Sequence, residues 1–147
     1  MRVLLYEPNY TGHHYAYLAH MLPGLLELPV EPVLATTEIG IRSKEFSLTL
    51  APFREHLHIE TCCTPLPKRV WRNVFHRLRE LVRAVRITRP DHVYILYADG
   101  IWELLALQSL LKRWPLRSGN AEGNLVVEAW LYRGGFPYPD ATYAAAK

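Results

Sequence analysis

The stretch Arg2-Val3-Leu4-Leu5-Tyr6-Glu7-Pro8-Asn9-Tyr10-Thr11-Gly12-His13-His14 decides how the rest of the chain is read. Its first part, Val3–Tyr6, is a short apolar run without polar alternation, which predicts a strand buried on both faces, as in a parallel sheet. A polar loop with one glycine then leads into Tyr15–Leu28, where Leu18, Met21, Leu22 and Leu25 recur at helical spacing. The same strand, loop and helix unit repeats downstream. Val30–Thr36, His56–Thr61, His92–Tyr97 and Leu125–Leu131 read as further strands, and Val70–Ile87 and Ile101–Trp114 as helices. Ser43–Arg54 predicts a short helix ending near Pro52, and Pro23 predicts a kink or early stop in the first helix. Alternation of this kind predicts a doubly wound parallel α/β sheet of about five strands.

Composition narrows the reading. At 147 residues, 50% of them apolar, the chain fits a single Rossmann-like domain. Two cysteines exclude a disulfide scaffold, and no apolar run reaches the ~20 residues of a membrane-spanning helix. The opening residues lack the apolar core of a signal peptide, so a cytoplasmic location is expected. Lys and Arg number 17 against 14 Asp and Glu, an excess too small to mark a nucleic-acid binder. At the other end, Asp140 caps a helix-forming stretch, Ala141–Lys147, that stops as it begins, which predicts a fragment or one half of a larger protein.

In an open parallel sheet, ligands bind beyond the C-terminal strand ends, so function is expected in the loops there. The first loop has no G-x-G-x-x-G, the chain has no P-loop, and no G-x-S-x-G elbow is present. No cofactor is expected. Cys63-Thr64-Pro65-Leu66-Pro67-Lys68-Arg69 has the C-x5-R spacing of a phosphatase loop, but Pro65 and Pro67 each remove a phosphate-binding N–H. His13, His14 and His20 cluster near the first helix, and His56 and His58 are expected on one strand face; with no carboxylate or cysteine at ligand spacing, no metal site is expected. Asn9-Tyr10-Thr11 is a glycosylation sequon, without consequence in a cytoplasmic chain.

The remaining loops carry binding chemistry, each with a plainer alternative. Gly12 permits close approach of a ligand to a helix start, with His13 and His14 as added donors, or it merely serves a tight turn. Asp99, beside Tyr97, is either a general base and hydroxyl acceptor or the cap of the next helix. Arg133, before two glycines, suits a phosphate or carboxylate, or is an ordinary surface arginine. Tyr6, Tyr10, Tyr97, Trp102, Trp130 and Tyr132 suit a sugar ring or pack at a half-wet edge. Arg69, Arg72, His76, Arg79, Arg83 and Arg86 form a basic stripe beside an apolar one, Trp71-Val74-Leu78-Leu81-Val85; it is a solvated face or a surface for anionic membrane.

Three stretches together resemble the N-terminal domain of GT-B glycosyltransferases of the family 4 type. They are Val3-Leu4-Leu5-Tyr6-Glu7-Pro8 with Gly12-His13 and Leu18-Ala19, then Arg89-Pro90-Asp91-His92-Val93-Tyr94-Ile95-Leu96, and Val126-Val127-Glu128-Ala129-Trp130. The resemblance implies the acceptor-side half of a two-domain enzyme, inactive alone, whose nucleotide-sugar donor binds mainly to a second domain. It implies that Gly12 faces the donor phosphates, and that Asp99 stands where several relatives carry a histidine. Membrane docking through Arg72, Arg79, Arg83 and Arg86, peripheral on the inner membrane face, follows from the same resemblance. The expected site is therefore Asp99 as the catalytic group with Gly12, His13, His14, Tyr97 and Arg133 binding substrate, and the expected acceptor is a saccharide or lipid. The alternative is a Rossmann-like binding or partner-docking module without catalysis.

Overall fold

Short strands that bury both faces need helices above and below them, and the chain supplies both layers in turn. The computed structural model describes residues 1–11, 13–64, 70–96 and 126–129. Strand β1 (Arg2–Tyr6) leads to helix α1 (His14–Leu26), then β2 (Glu31–Thr37), a short α2 (Glu38–Ile41), α3 (Lys44–Thr49) and a 3-10 turn (Ala51–Phe53). β3 (His58–Cys63), α4 (Val70–Thr88), β4 (His92–Ile95) and β5 (Val126–Ala129) follow. The strands form one sheet in the order β3-β2-β1-β4-β5, with every neighbouring pair parallel. The expected doubly wound α/β class is what the chain adopts. It builds outward from β1 to β3 and then returns to the other side of β1, so the order reverses between β1 and β4. That is where such sheets open a crevice at their C-terminal edge.

The two faces explain the unbroken apolar strands. Leu4 and Tyr6 of β1 join Val33, Ala35, Val93 and Ile95 in one core, closed by Leu81, Ala84 and Val85 of α4. Val3 and Leu5 point the other way, onto Leu34, onto Tyr15, Leu18 and Leu22 of α1, and onto Phe46 and Leu50. Alternate residues thus enter different cores, and both must be apolar. Truncating a fully buried leucine such as Leu4 or Leu5 to alanine is expected to cost about 2–5 kcal/mol.

Several boundaries differ from the sequence reading, each for a local reason. α1 does not stop at Pro23 but runs through it to Leu26. The proline lies on the exposed side, while Leu18 and Leu22 hold the opposite side in the core. Ser43–Arg54 divides into α3, capped by the Ser43 hydroxyl accepting from the Phe46 N–H at 3.1 Å, and the separate 3-10 turn. β3 starts at His58, so His56 precedes the strand and shares no strand face with His58.

β3 also carries an extra residue. Ala35 pairs with Glu60 but Thr37 pairs with Cys63, so two steps on β2 oppose three on β3. Successive strand residues normally face opposite ways; this bulge turns both Cys62 and Cys63 into the α4-side core.

The Arg89-Pro90-Asp91 stretch is a structural joint. Arg89, at φ 47°, ends α4 in the left-handed region, its N–H donating to the Val85 carbonyl at 2.8 Å. The Asp91 carboxylate accepts from the Arg2 backbone N–H at 2.7 Å, and Arg2 Nη1 donates to the Thr88 carbonyl at 2.8 Å. These contacts lie at the N-terminal ends of β1 and β4, the edge opposite the crevice. The expected helices at Ile101–Trp114 and after Asp140 lie outside the described residues. Among the described residues, no helix is long and apolar enough to cross a membrane.

Candidate functional site at the C-terminal edge of the sheet

The chain leaves β1 with Glu7, whose N–H extends the ladder by donating to the Ala35 carbonyl at 3.0 Å. Its side chain is fully buried. A buried carboxylate requires hydrogen-bonded partners, and Glu7 has them. Oε1 accepts from the Asn9 backbone N–H at 2.9 Å, and Oε2 lies 3.1 Å from Nδ1 of His14, the first residue of α1. The unpaired N–H groups and partial positive charge of that helix end favour a carboxylate here. The contact places His14 Nδ1, rather than Nε2, against the carboxylate. The exposed His13 stacks on His14, with centroids 5.4 Å apart, and meets Tyr17 edge-on at 5.0 Å.

The α4 side of the edge bears a second polar group. Arg77 Nη2 donates to Asn9 Oδ1 at 2.9 Å, and the buried Tyr6 hydroxyl donates to the Arg77 carbonyl at 3.0 Å. Burial above all raises the Tyr6 pKa well above the ordinary phenol value, with the Glu80 carboxylate adding to the rise and Arg77 opposing it. One turn away, Glu80 Oε1 accepts from the Thr64 backbone N–H and, at 2.7 Å, from the Thr64 hydroxyl. His76 Nε2 lies 2.7 Å from that hydroxyl and 3.1 Å from Glu80 Oε1. A nucleophile triad places the acid and the hydroxyl on different ring nitrogens. Here one nitrogen meets both, so the trio fastens the residue after β3 to α4.

The phosphatase reading, already disfavoured by Pro65 and Pro67, is opposed by geometry and charge as well. The thiol lies in a strand, buried, and its pKa is driven upward first by its hydrogen bond with Cys62, then by burial and by the carboxylates of Glu80 and Glu7. A phosphatase nucleophile needs the reverse, a stabilised thiolate.

On the α1 side, Tyr15 and Thr36 share a buried hydroxyl pair at 2.7 Å, and burial pushes the Tyr15 pKa up to about 12. Gly40 lies against that pair: a Cβ there would stand 2.2 Å from the Tyr15 hydroxyl oxygen.

Of the residues expected from sequence, His13 and His14 come together at this edge. Gly12, Tyr97, Asp99 and Arg133 lie outside the described residues. Glu7, Asn9, Arg77 and Glu80 were not anticipated. The signal for Glu7 was present, a carboxylate directly after a buried strand, but its histidine partner sits seven positions on and only the loop joins them. Arg77 and Glu80 lie off the basic stripe, at positions of α4 that face the sheet. His76, counted in that stripe, turns to Thr64 instead, whereas Arg79, Arg83 and Arg86 are exposed. Among the described residues, no group of three or more His, Cys, Asp or Glu is placed to hold a metal ion.

Comparison with protein-family models, with curated proteins and with solved structures finds no match.

Proposed function

We propose that this chain is the acceptor-side half of a two-domain glycosyltransferase that takes a sugar from a nucleotide-sugar donor. The observation that carries the reading is the buried Glu7–His14 pair at the end of β1, beside the point where strand order reverses. A carboxylate that fixes an imidazole at the mouth of a parallel sheet suits the binding and orientation of a hydroxyl, the group that a sugar acceptor presents. His13 and Tyr17 add an edge-on ring pair at the same place. Gly12, Tyr97, Asp99 and Arg133 belong to the proposal through their positions after β1, β4 and β5 in the sequence.

The same reading places the protein in the cytoplasm against the inner membrane face. Its support is the outer side of α4, where Phe75, Arg79, Arg83, Arg86 and Ile87 are exposed and the three arginines make no ion pair among the described residues. Unpaired cations flanked by apolar side chains complement an anionic lipid surface.

Activity is tested on the full product of the gene, incubated with UDP-glucose, UDP-N-acetylglucosamine and GDP-mannose in turn, with saccharide and lipid acceptors. The expected result is acceptor-dependent release of nucleoside diphosphate, reduced roughly 10²-fold by Glu7→Gln. Saccharide binding without release from any donor would overturn transfer in favour of a binding module.

A further inference from the structure

The contacts at the edge form one unbroken line across the sheet. Arg77 Nη2 donates to Asn9 Oδ1 at 2.9 Å, the Asn9 N–H donates to Glu7 Oε1 at 2.9 Å, and Glu7 Oε2 meets His14 Nδ1 at 3.1 Å. The line starts on α4, on one face of the sheet, passes over the end of β1, and finishes at the start of α1 on the other face. Arg77 is itself anchored, through its own carbonyl, by the hydroxyl of Tyr6, the last residue of β1.

We propose that Arg77 and Asn9 are positioning residues for His14, setting from across the sheet which ring nitrogen holds its proton. The physical reason is directional. Arg77 is buried and, among the described residues, makes no ion pair, so its charge is expressed there through a neutral partner, the Asn9 side-chain oxygen. That bond fixes the Asn9 amide plane from the side-chain end, while the Asn9 N–H fixes one oxygen of Glu7. With Oε1 held, Oε2 has a single orientation toward His14 Nδ1. A carboxylate in that place selects the Nδ1–H tautomer. Arg77 and Glu7 are at least nine-tenths buried and the Asn9 contact to Glu7 is made by backbone, so the orientation passes on with little slack.

The inference concerns the site invoked for sugar transfer, yet its test reads the imidazole directly and does not depend on any activity. The protein is labelled with nitrogen-15 in its histidines, and the ring nitrogen shifts of His14 are recorded at a pH where the ring is neutral. The expected spectrum shows Nδ1 protonated. In Arg77→Gln and in Asn9→Ala the same resonances move toward a mixture of both tautomers, and Arg77→Lys, which keeps a donor able to reach Asn9, restores part of the wild-type pattern. Amide spectra that retain the dispersion of the parent establish that each variant is folded; Asn9→Ala, in an exposed-to-intermediate loop, serves if Arg77→Gln fails to fold. A His14 pattern unchanged in a folded Arg77→Gln or Asn9→Ala protein, or a wild-type ring protonated on Nε2, would overturn the proposal while leaving sugar transfer to its own assay.

Discussion

Replacing Gly40 with alanine places a methyl group where the structure has no room for one. The added Cβ would stand 2.2 Å from the Tyr15 hydroxyl oxygen, 3.0 Å from Thr37 Oγ1 and 3.2 Å from Thr36 Oγ1, against ordinary contact that begins at 3.4 Å. Tyr15 would have to retreat by about 1.2 Å to clear it. Its ring has little freedom to do so, being buried and held edge-on against Phe46 at 5.9 Å, and retreat breaks the 2.7 Å bond to Thr36. Overpacking of this kind costs about 1–3 kcal/mol, and the lost buried hydrogen bond adds roughly 1. Alanine's better helix propensity returns at most about 1 kcal/mol. The net expectation is destabilisation by about 1–3 kcal/mol, read as roughly 2–4 °C in Tm per kcal/mol for a domain of this size.

The sign of the effect is the test. Without the clash, Gly40→Ala in a helix would stabilise. A double-mutant cycle with Tyr15→Phe, followed by chemical denaturation, isolates the cause. Tyr15→Phe removes the hydroxyl that the new methyl meets, so Gly40→Ala in that background is expected to cost much less. An equal cost in both backgrounds, or stabilisation in the parent, would refute the packing described here.

The remaining predictions concern titration, reactivity and a single hydrogen bond. Tyr15 holds its proton to about pH 12 when folded, above the ordinary value of 10.0, so its contribution to stability is intact below pH 10 and is lost as pH rises through 12. Thermal melts across that range are expected to show the decline, and Tyr15→Phe to lessen it, the raised Tyr6 leaving the remainder. Cys62 and Cys63 should resist iodoacetamide in the native protein and react once guanidinium unfolds it; native alkylation as fast as that of free cysteine would contradict their burial and the upward shift at Cys63. Tyr6→Phe removes the bond to the Arg77 carbonyl and is expected to cost about 0.5–1.5 kcal/mol by denaturant titration. For the outer face of α4, co-sedimentation with phosphatidylglycerol vesicles should be strong at low salt and weak at high salt. It should be abolished by Arg79→Gln with Arg83→Gln and Arg86→Gln, and equal recovery with and without vesicles would reject docking.

The parts of the fold legible in the sequence are those governed by local pattern. β1, β2 and α4 declare themselves because doubly buried strands need continuous apolar runs and α4 needs a one-sided apolar stripe. β3 was displaced by two residues because its bulge breaks the strand period, leaving exposed His58 and Thr61 on either side of the half-buried Ile59 and Glu60. Pro23 misled because a proline on an exposed helix face costs one hydrogen bond, which packing at Leu18 and Leu22 outweighs. The Arg89-Pro90-Asp91 motif ends α4 and, through the Asp91 carboxylate, ties strand starts together at the edge away from the crevice.

The site was less legible, for a reason of range. His13 and His14 were readable from the loop that holds them. Arg77 and Glu80 acquire meaning only when α4 is laid across the ends of β1 and β3, contacts separated by 68 residues for Arg77 to Asn9 and 16 for Glu80 to Thr64. No local pattern distinguishes such residues from a solvated helical face.

The central claim is that the C-terminal edge over β1 is where this protein meets its ligand. Amide spectra of the nitrogen-15-labelled protein, recorded during titration with UDP-glucose and with methyl glucoside, test it most directly. Shifts are expected to concentrate at Glu7, Asn9, His13, His14 and Thr64, with Arg2, Glu31 and Asp91 at the opposite edge unmoved. Shifts centred on Arg2, Glu31 and Asp91, or none with either compound, would contradict it.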